Sequence, residues 1–380
     1  MKIFVIPPTF NEADNIEQFI TVLEEEVFPK IKGHDMHILV ADDFSPDGTG
    51  EIVKKLMKKY ENLGINQGEK KGLGAAYLRT MGYAIEHLGA DVVVSIDADF
   101  QFDPHDLPKF VEKIDDGCDV VVQSRYSGGG SIPKNWPFQR KVFSVVANLF
   151  VRTVFMRFGV HDWTGGFRAI RKEVFEKVRH DMKGYNGYIF QIAFLHKVVQ
   201  KGYRVGEVPL HFSDRKLGNS KIAPLQYIFN VLSFVILARI KELAFGPFGK
   251  FIVVGGVGFV INAIALKVLV EGFGWVAYLA NLVGAALAIF SNYNFNNLWT
   301  FKHHKAEGIS EYFLKLLQFY ATSAFGVIFI QTGTIFIGVH FLTGQKDYFL
   351  YFLLGTSFLL VWNFFIYSKV IWKKKPPVHV

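Results

Sequence analysis

Hydrophobic positions follow two different rhythms along the chain. Up to about residue 245, short apolar runs alternate with stretches of helical periodicity. Ile3–Ile6 is apolar and stops at Pro7-Pro8, and similar runs near 36–42, 91–96 and 119–123 read as buried strands. Helices are predicted near 14–28, 49–60, 73–88, 105–116 and 187–201. That alternation predicts βαβ units in a doubly wound, Rossmann-like α/β sheet. Such a sheet binds its ligand beyond the carboxyl ends of its strands. Three loops then come into view: Pro7–Asn15, Ala41–Thr49 and Asp97–Pro104. The first apolar run is too short for the h-region of a signal peptide.

From residue 246 onward the rhythm is that of a bilayer. Phe251–Val270 carries one charge, Lys267; Gly272–Thr300, Leu316–Gln345 and Tyr348–Ser368 carry no Asp, Glu, Lys or Arg. A spanning helix needs about 20 mainly apolar residues, so four spans are predicted, near 250–271, 275–300, 316–342 and 348–370. The chain accordingly reads as a polar α/β domain over 1–221, interfacial amphipathic helices over 222–245, and an all-α four-helix transmembrane domain of two hairpins over 246–375. The two hairpins resemble each other: Asn292 and Asn363 occupy equivalent ends, each followed by Trp and Lys. No flexible linker follows 245, so the polar domain is expected at the membrane surface.

Charge sharpens this division. Of 380 residues, 42 are Lys or Arg and 34 Asp or Glu. The excess lies in 246–380, with 10 basic against 4 acidic residues, leaving 32 against 30 in 1–245. A nucleic-acid partner would instead call for clustered Lys/Arg on the polar domain, and none is expected. Arg239, Lys241, Lys250, Lys302, Lys305, Lys315, Lys369 and Lys373–Lys375 flank one side of the predicted spans, while only Lys267 and Lys346 flank the other. The positive-inside rule then places the polar domain and the C-terminus in the cytosol of a multi-pass membrane protein. The single cysteine, Cys118, excludes an internal disulfide framework.

The candidate chemistry sits in the three loops. Pro8-Thr9-Phe10-Asn11-Glu12 follows the first strand, and Ala41-Asp42-Asp43-Phe44-Ser45-Pro46-Asp47-Gly48-Thr49 ends the second. Asp43 suits a ribose or base contact; Asp47 reads equally as a helix cap. After the strand at 92–96 comes Asp97-Ala98-Asp99-Phe100-Gln101. Two carboxylates and an amide at alternate positions suit a hard divalent cation, Mg²⁺ or Mn²⁺, that takes oxygen ligands from protein and phosphate together. Arg125 and Arg140 have the reach to hold anions. Lys71-Gly72-Leu73-Gly74 reads as a helix start or an anion contact, Gly128-Gly129-Gly130 as a mobile loop, and Asp162 as either a turn residue or a sugar contact.

These motifs resemble glycosyltransferase family 2, an inverting family with the GT-A fold. Asn135-Trp136-Pro137-Phe138-Gln139-Arg140, Asp162-Trp163-Thr164-Gly165-Gly166-Phe167-Arg168 and Asp214-Arg215-Lys216-Leu217-Gly218-Asn219-Ser220-Lys221 are similar, more narrowly, to polyprenyl- or dolichyl-phosphate mannose synthases. The likeness covers about 1–225. It implies transfer of mannose from GDP-mannose to a dolichyl or polyprenyl phosphate. It also implies that Pro8, Phe10 and Glu12 line the nucleotide, and that Asp43 and the Ala41 backbone hold base and ribose. Asp97 and Ala98 lie beside the nucleoside, and Asp99 and Gln101 ligate the metal. Arg125, Arg140 and Ser144 meet the acceptor phosphate, and Arg215 and Lys221 close over the donor. Phe10 stands where Tyr is frequent, which leaves stacking without a phenol contact. The spans are similar to a small membrane-protein family linked to lipid-bound sugars, and they leave a homo-oligomer open. Two alternatives also stay open: UDP-glucose or another hexose as donor, and a lipid-linked-sugar translocase with a nucleotide-sensing polar domain.

Overall fold

The structure, a computed structural model, describes residues 1–132, 136–185, 187–210, 224–275, 277–342 and 348–373. The chain divides into two compact units, Met1–Leu237 and Ala238–Val380.

In the first unit the described strands are β1 (Lys2–Ile6), β2 (Pro8–Thr9), β3 (Asp35–Asp42), β4 (Leu63–Gln67), β5 (Val92–Ser95), β6 (Val120–Ser124), β7 (Arg168–Arg171) and β8 (Val205–Pro209). The helices are α1 (Ala13–Val22), α2 (Thr49–Leu56), α3 (Leu73–Leu88), α4 (Leu107–Asp115), α5 (Phe138–Phe155), α6 (Lys172–Arg179) and α7 (Gly187–Gln200). The sheet runs β4-β3-β1-β5-β7-β6-β8, with β2 prolonging the β1 side against β3. The Val-Val-Val cores of β5 and β6 are buried throughout. Such runs, apolar on both faces, belong at the centre of a sheet covered by helices. Ile16, Phe19 and Ile20 of α1 and Phe110 of α4 fill one side of that core.

Every predicted strand and helix of this unit is present, but the sheet is not purely parallel. β7 is antiparallel to both β5 and β6. The reason is topological. The chain leaves the sheet at the carboxyl end of β6, runs through α5, and returns at that same edge, so the next strand must run backwards. The reversal delivers residues 162–167 to the ligand-binding edge.

Helix α8 (Pro224–Phe245) is continuous and contains the division between the units. The second unit holds α9 (Pro247–Lys267), α10 (Ala277–Phe295), α11 (Ile309–Phe325), α12 (Thr332–Ile337) and α13 (Tyr348–Ile366). Among the described residues, Pro247–Gly272, Ile309–Ile330 and Leu354–Ile371 are long and apolar enough to cross a bilayer. The other expected span coincides with α10, which is not among these three; its end is made polar by Asn292, Asn294, and the following Asn296 and Asn297.

The hairpins repeat in detail. Helix α10 continues into a π-helical turn, Asn296–Thr300, and α13 into another, Tyr367–Ile371. The boundaries of the second helix of each hairpin and of its π-turn are displaced by 71 residues: Ala277 to Tyr348, Phe295 to Ile366, Thr300 to Ile371. Phe301 and Trp372, equivalent under that shift, stack on each other at 4.7 Å and 12°. Phe251 packs on Phe364 at 5.7 Å, and Phe319 on Tyr293 at 5.8 Å, the same contact with the hairpins exchanged. A pseudo-two-fold relation requires this pairing. Gly258 lies against the Asn292 amide and Gly326 against that of Asn363, where a Cβ would collide with neighbouring side chains.

Candidate active site

Each of the three loops contains a non-glycine residue in the left-handed region: Asn11 (φ 62°), Phe44 (φ 49°) and Phe100 (φ 58°). Asn tolerates this conformation, whereas a Phe there costs on the order of 1–3 kcal/mol. The loops hold themselves in place by hydrogen bonds. Buried Asp42 accepts from Thr9 Oγ1 at 3.2 Å, Ser45 Oγ at 2.5 Å and Gln67 Nε2 at 2.9 Å. Asp47 accepts from the N–H of Thr49 at 3.1 Å and of Ala13 at 3.0 Å. It therefore serves the starts of both α2 and α1, which is the helix-cap alternative.

Between the acidic loop after β5 and the start of α5 lies a cavity of about 310 Å³. Of the residues expected from sequence, Pro8, Glu12, Asp97, Ala98, Asp99, Gln101, Arg125 and Arg140 line it. Asp99 Oδ1 accepts from the Gln101 N–H at 3.1 Å, which fixes the turn between them. The cavity also takes in Leu73 and Phe102, from segments already singled out in the sequence, and Trp136, Thr164, Gly165, Gly166, Gly187, Gln191 and Leu210, to which sequence reasoning had given no role. Trp136 carried a signal in its neighbour: the Arg140 guanidinium sits 3.8 Å from the centre of its ring, four residues along.

Arg125 is held from behind. Its Nε donates to Asp162 Oδ2 at 2.7 Å, its Nη2 to Asp162 Oδ1 at 2.9 Å, and its backbone N–H to Asp162 Oδ2 at 3.2 Å. Asp162 is fully buried. Burial pushes its carboxyl up, and the Arg125 charge and hydrogen bonds more than reverse this, so its pKa ends below the ordinary carboxylate range. Asp162 is thus an anchor for Arg125 and no sugar contact. Two further side chains fix its loop: Glu207 Oε1 accepts from the His161 N–H at 2.6 Å, and Asn148 Oδ1 accepts from the Trp163 N–H at 2.8 Å.

Four expected residues do not line the cavity. Ala41 is buried in β3. Asp43 pairs with Arg79 at 3.1 Å, and its pKa is raised because burial outweighs that partner. The Phe10 ring is covered by Lys70, whose Nζ lies 3.1 Å from its centre. Ser144 shares a 2.6 Å hydrogen bond with the Tyr126 hydroxyl. Arg215 and Lys221 lie outside the described residues. Gly72 (φ 97°) opens α3, and a side chain at Gly74 would strike the Tyr185 carbonyl, so that motif is a close-packed helix start. Gly128–Gly130 forms a tight turn closed by the Gly130 N–H on the Ser127 carbonyl at 2.8 Å.

The donor set suits a hard cation that shares its shell with a ligand. Asp97, Asp99 and Gln101 offer oxygens to one cavity. Among the described residues no group of three His, Cys, Asp or Glu could enclose a metal. A cation here would have to complete its shell with oxygens from outside the protein, as Mg²⁺ does with phosphates.

Comparison with known proteins adds an independent view. Residues 4–179 match the glycosyl transferase family 2 model, and residues 250–372 match the GtrA/DPMS transmembrane domain. The dolichol-phosphate mannosyltransferase of Pyrococcus furiosus is 32% identical over 355 residues, 90% of this chain and 93% of that protein. The polyprenol monophosphomannose synthase of Mycolicibacterium smegmatis is 37% identical over 224 residues, 58% of this chain and 81% of that protein. Among solved structures, glucosyl-3-phosphoglycerate synthase from Mycobacterium tuberculosis, crystallised with Mn²⁺, UDP and its product, aligns with 18% identity and a TM-score of 0.44, covering 63% of this chain and 79% of that one.

Proposed function

Because this chain belongs to glycosyl transferase family 2 and carries a GtrA/DPMS transmembrane domain, we propose that it transfers mannose from GDP-mannose to a dolichyl or polyprenyl phosphate, releasing GDP. The observation that carries this reading is a single cavity bordered by an acidic loop and by two arginines, in a chain that continues into apolar helices long enough for a bilayer. Two relatives named for this chemistry, one of them aligned along nearly the whole chain, support it.

The reaction joins two anions. A phosphate oxygen of the acceptor attacks the anomeric carbon, the bond from that carbon to the diphosphate oxygen breaks, and the electron pair leaves with GDP. A divalent cation held by Asp99 and Gln101 would supply charge stabilisation to the departing diphosphate. Asp97, Ala98, Pro8 and Glu12 border the donor side. Arg125 and Arg140 draw the acceptor phosphate against its repulsion from the donor, which suits guanidinium groups. The second pKa of a phosphate monoester is about 6, so the nucleophile needs no protein base. Asp162, buried and committed to Arg125, is unsuited to be one.

The acceptor is a lipid, and α5 favours its delivery. Phe138, Phe143, Val146 and Leu149 are each more than half exposed, although the helix carries Arg140 and Lys141 in its first turn. An apolar face with basic residues at its edge suits the headgroup zone of a membrane. The distribution of Lys and Arg around the predicted spans supports a cytosolic polar domain. Purified enzyme should convert labelled GDP-mannose and a short-chain polyprenyl phosphate to a polyprenyl-phosphate mannose. Conversion of UDP-glucose alone would replace the donor assignment. Asp99→Ala should abolish metal-dependent transfer; undiminished turnover in that variant refutes the cation site.

A further inference from the structure

Arg168 opens β7, paired to Ser95 of β5 and Val122 of β6, directly beneath the cavity edge. It is 1% exposed, with the Asp162 carboxylate close enough to act on its charge. Its donors go to backbone carbonyls: Nε to Gly165 at 2.8 Å, Nη2 to Trp163 at 3.2 Å and Nη1 to Gln191 at 2.8 Å. Burial lowers its pKa to about 10, so it stays charged at neutral pH. Ser95 Oγ donates to the next carbonyl, that of Gly166, at 2.7 Å. The carbonyls of residues 163, 165 and 166 are therefore all turned towards the sheet.

A trans peptide points its N–H opposite to its C=O. With the Gly165 carbonyl drawn onto Arg168, the Gly166 N–H is directed away from the sheet. Gly165 and Gly166 both line the cavity, and among the described residues the Gly166 N–H has no acceptor. The site of a Cβ on Gly166 lies 3.8 Å from Asp97 Oδ2, which brings this amide next to the acidic loop. An outward backbone N–H beside a cation-binding loop suits an oxyanion.

We propose that the Gly165-Gly166 turn donates its backbone N–H to a phosphate oxygen bound in the cavity, and that Arg168 is the positioning residue that holds the turn in this orientation. The inference rests on the transfer reaction proposed above. The phosphate belongs to the nucleotide donor or to the lipid acceptor, and the experiment separates them. In the full-length enzyme in detergent, Arg168→Lys keeps the charge but cannot reach three carbonyls at once. Its Michaelis constant for one substrate should rise about tenfold, with the other unchanged, and the affected substrate identifies the phosphate. Values within twofold of wild type for both substrates, or an equal rise for both, overturn the proposal.

Hydrogen exchange on the wild-type enzyme needs no variant. The 163–168 segment should exchange more slowly with GDP and Mn²⁺, or with a short-chain polyprenyl phosphate, and unchanged exchange with both overturns the proposal. An inactive wild-type enzyme would instead count against the transfer reaction itself.

Discussion

Replacing Asp162 by Asn removes one charge and almost no volume, which makes it a clean probe of how Arg125 is held. Asp162 is fully buried and the Arg125 side chain is 11% exposed. Asn can still accept from the Thr164 N–H, now 3.1 Å from Asp162 Oδ1, but it leaves the guanidinium without its counter-charge. Breaking a buried pair by removing one partner costs about 3–5 kcal/mol. For a unit of this size each kcal/mol shifts the melting temperature by about 2–4 °C, so D162N should melt roughly 6–20 °C lower. Melting can be followed by tryptophan fluorescence, because Trp163 is buried next to this pair. The double variant R125M/D162N should melt higher than D162N, since it removes the orphaned charge as well. The pH dependence has a definite sign. The folded carboxyl lies below its unfolded value, which is about 3.9. Stability from the pair is therefore complete above that value and lost as pH falls through the lower, folded one. The gap between wild type and D162N should be constant from about pH 5 to 8 and narrow below about pH 4. A D162N enzyme that melts within about 2 °C of wild type at pH 7 refutes the reasoning.

Arg140 lies on the Trp136 ring at the cavity mouth, so Arg140→Ala should raise the Michaelis constant for the lipid phosphate about tenfold or more while GDP affinity, measured by titration, changes little. Phe44 is 58% exposed with φ 49°, so Phe44→Asn should raise the stability of the polar unit by about 0.5–1 kcal/mol; a drop in melting temperature would show that the ring is held by packing. In the membrane unit, Gly258→Leu must push into Asn292, and Gly326→Leu into Leu359. Both variants should separate their hairpins, read as new protease sensitivity, and normal resistance in either would contradict the close contact.

Legibility in the sequence followed the range of the interactions. Strands β1, β3, β5 and β6 are local apolar runs, and the loops after β1, β3 and β5 inherit their place from those runs. The acidic pattern at Asp97, Asp99 and Gln101 is local too, and all three side chains reach one cavity. β7 was not legible: Arg168–Arg171 is four residues with two arginines, and only its pairing with β5 and β6 makes it a strand. Helix α5 was missed because its apolar residues do not make one buried stripe, with Val151 buried and Val146 53% exposed. Asp162 joins Arg125 from 37 positions away. Asp43, where the loop suggested a ligand contact, is paired with Arg79, a partner on α3 that no local pattern announces. The hairpin repeat was visible in the sequence as the 71 residues between Asn292 and Asn363, and the helix boundaries extend that displacement to α10 and α13 along their whole length.

The two arginines of the cavity are built for different tasks. Arg125 is fixed by a buried carboxylate, by Thr164 and by the backbone around them, at the end of β6. Ordering it was accomplished when the domain folded, so binding an anion there costs little further side-chain entropy. Arg140 rests on an aromatic face on an exposed first turn of α5, a weaker hold than a buried ion pair. On the proposed reading, a headgroup arriving from lipid would first meet the exposed guanidinium, beside the apolar face of α5. It would then be handed to the buried, paired one, next to the acidic loop. A transfer that has no use for a base depends instead on this gradation from exposed to buried positive charge, because two anions must be brought together before either can react.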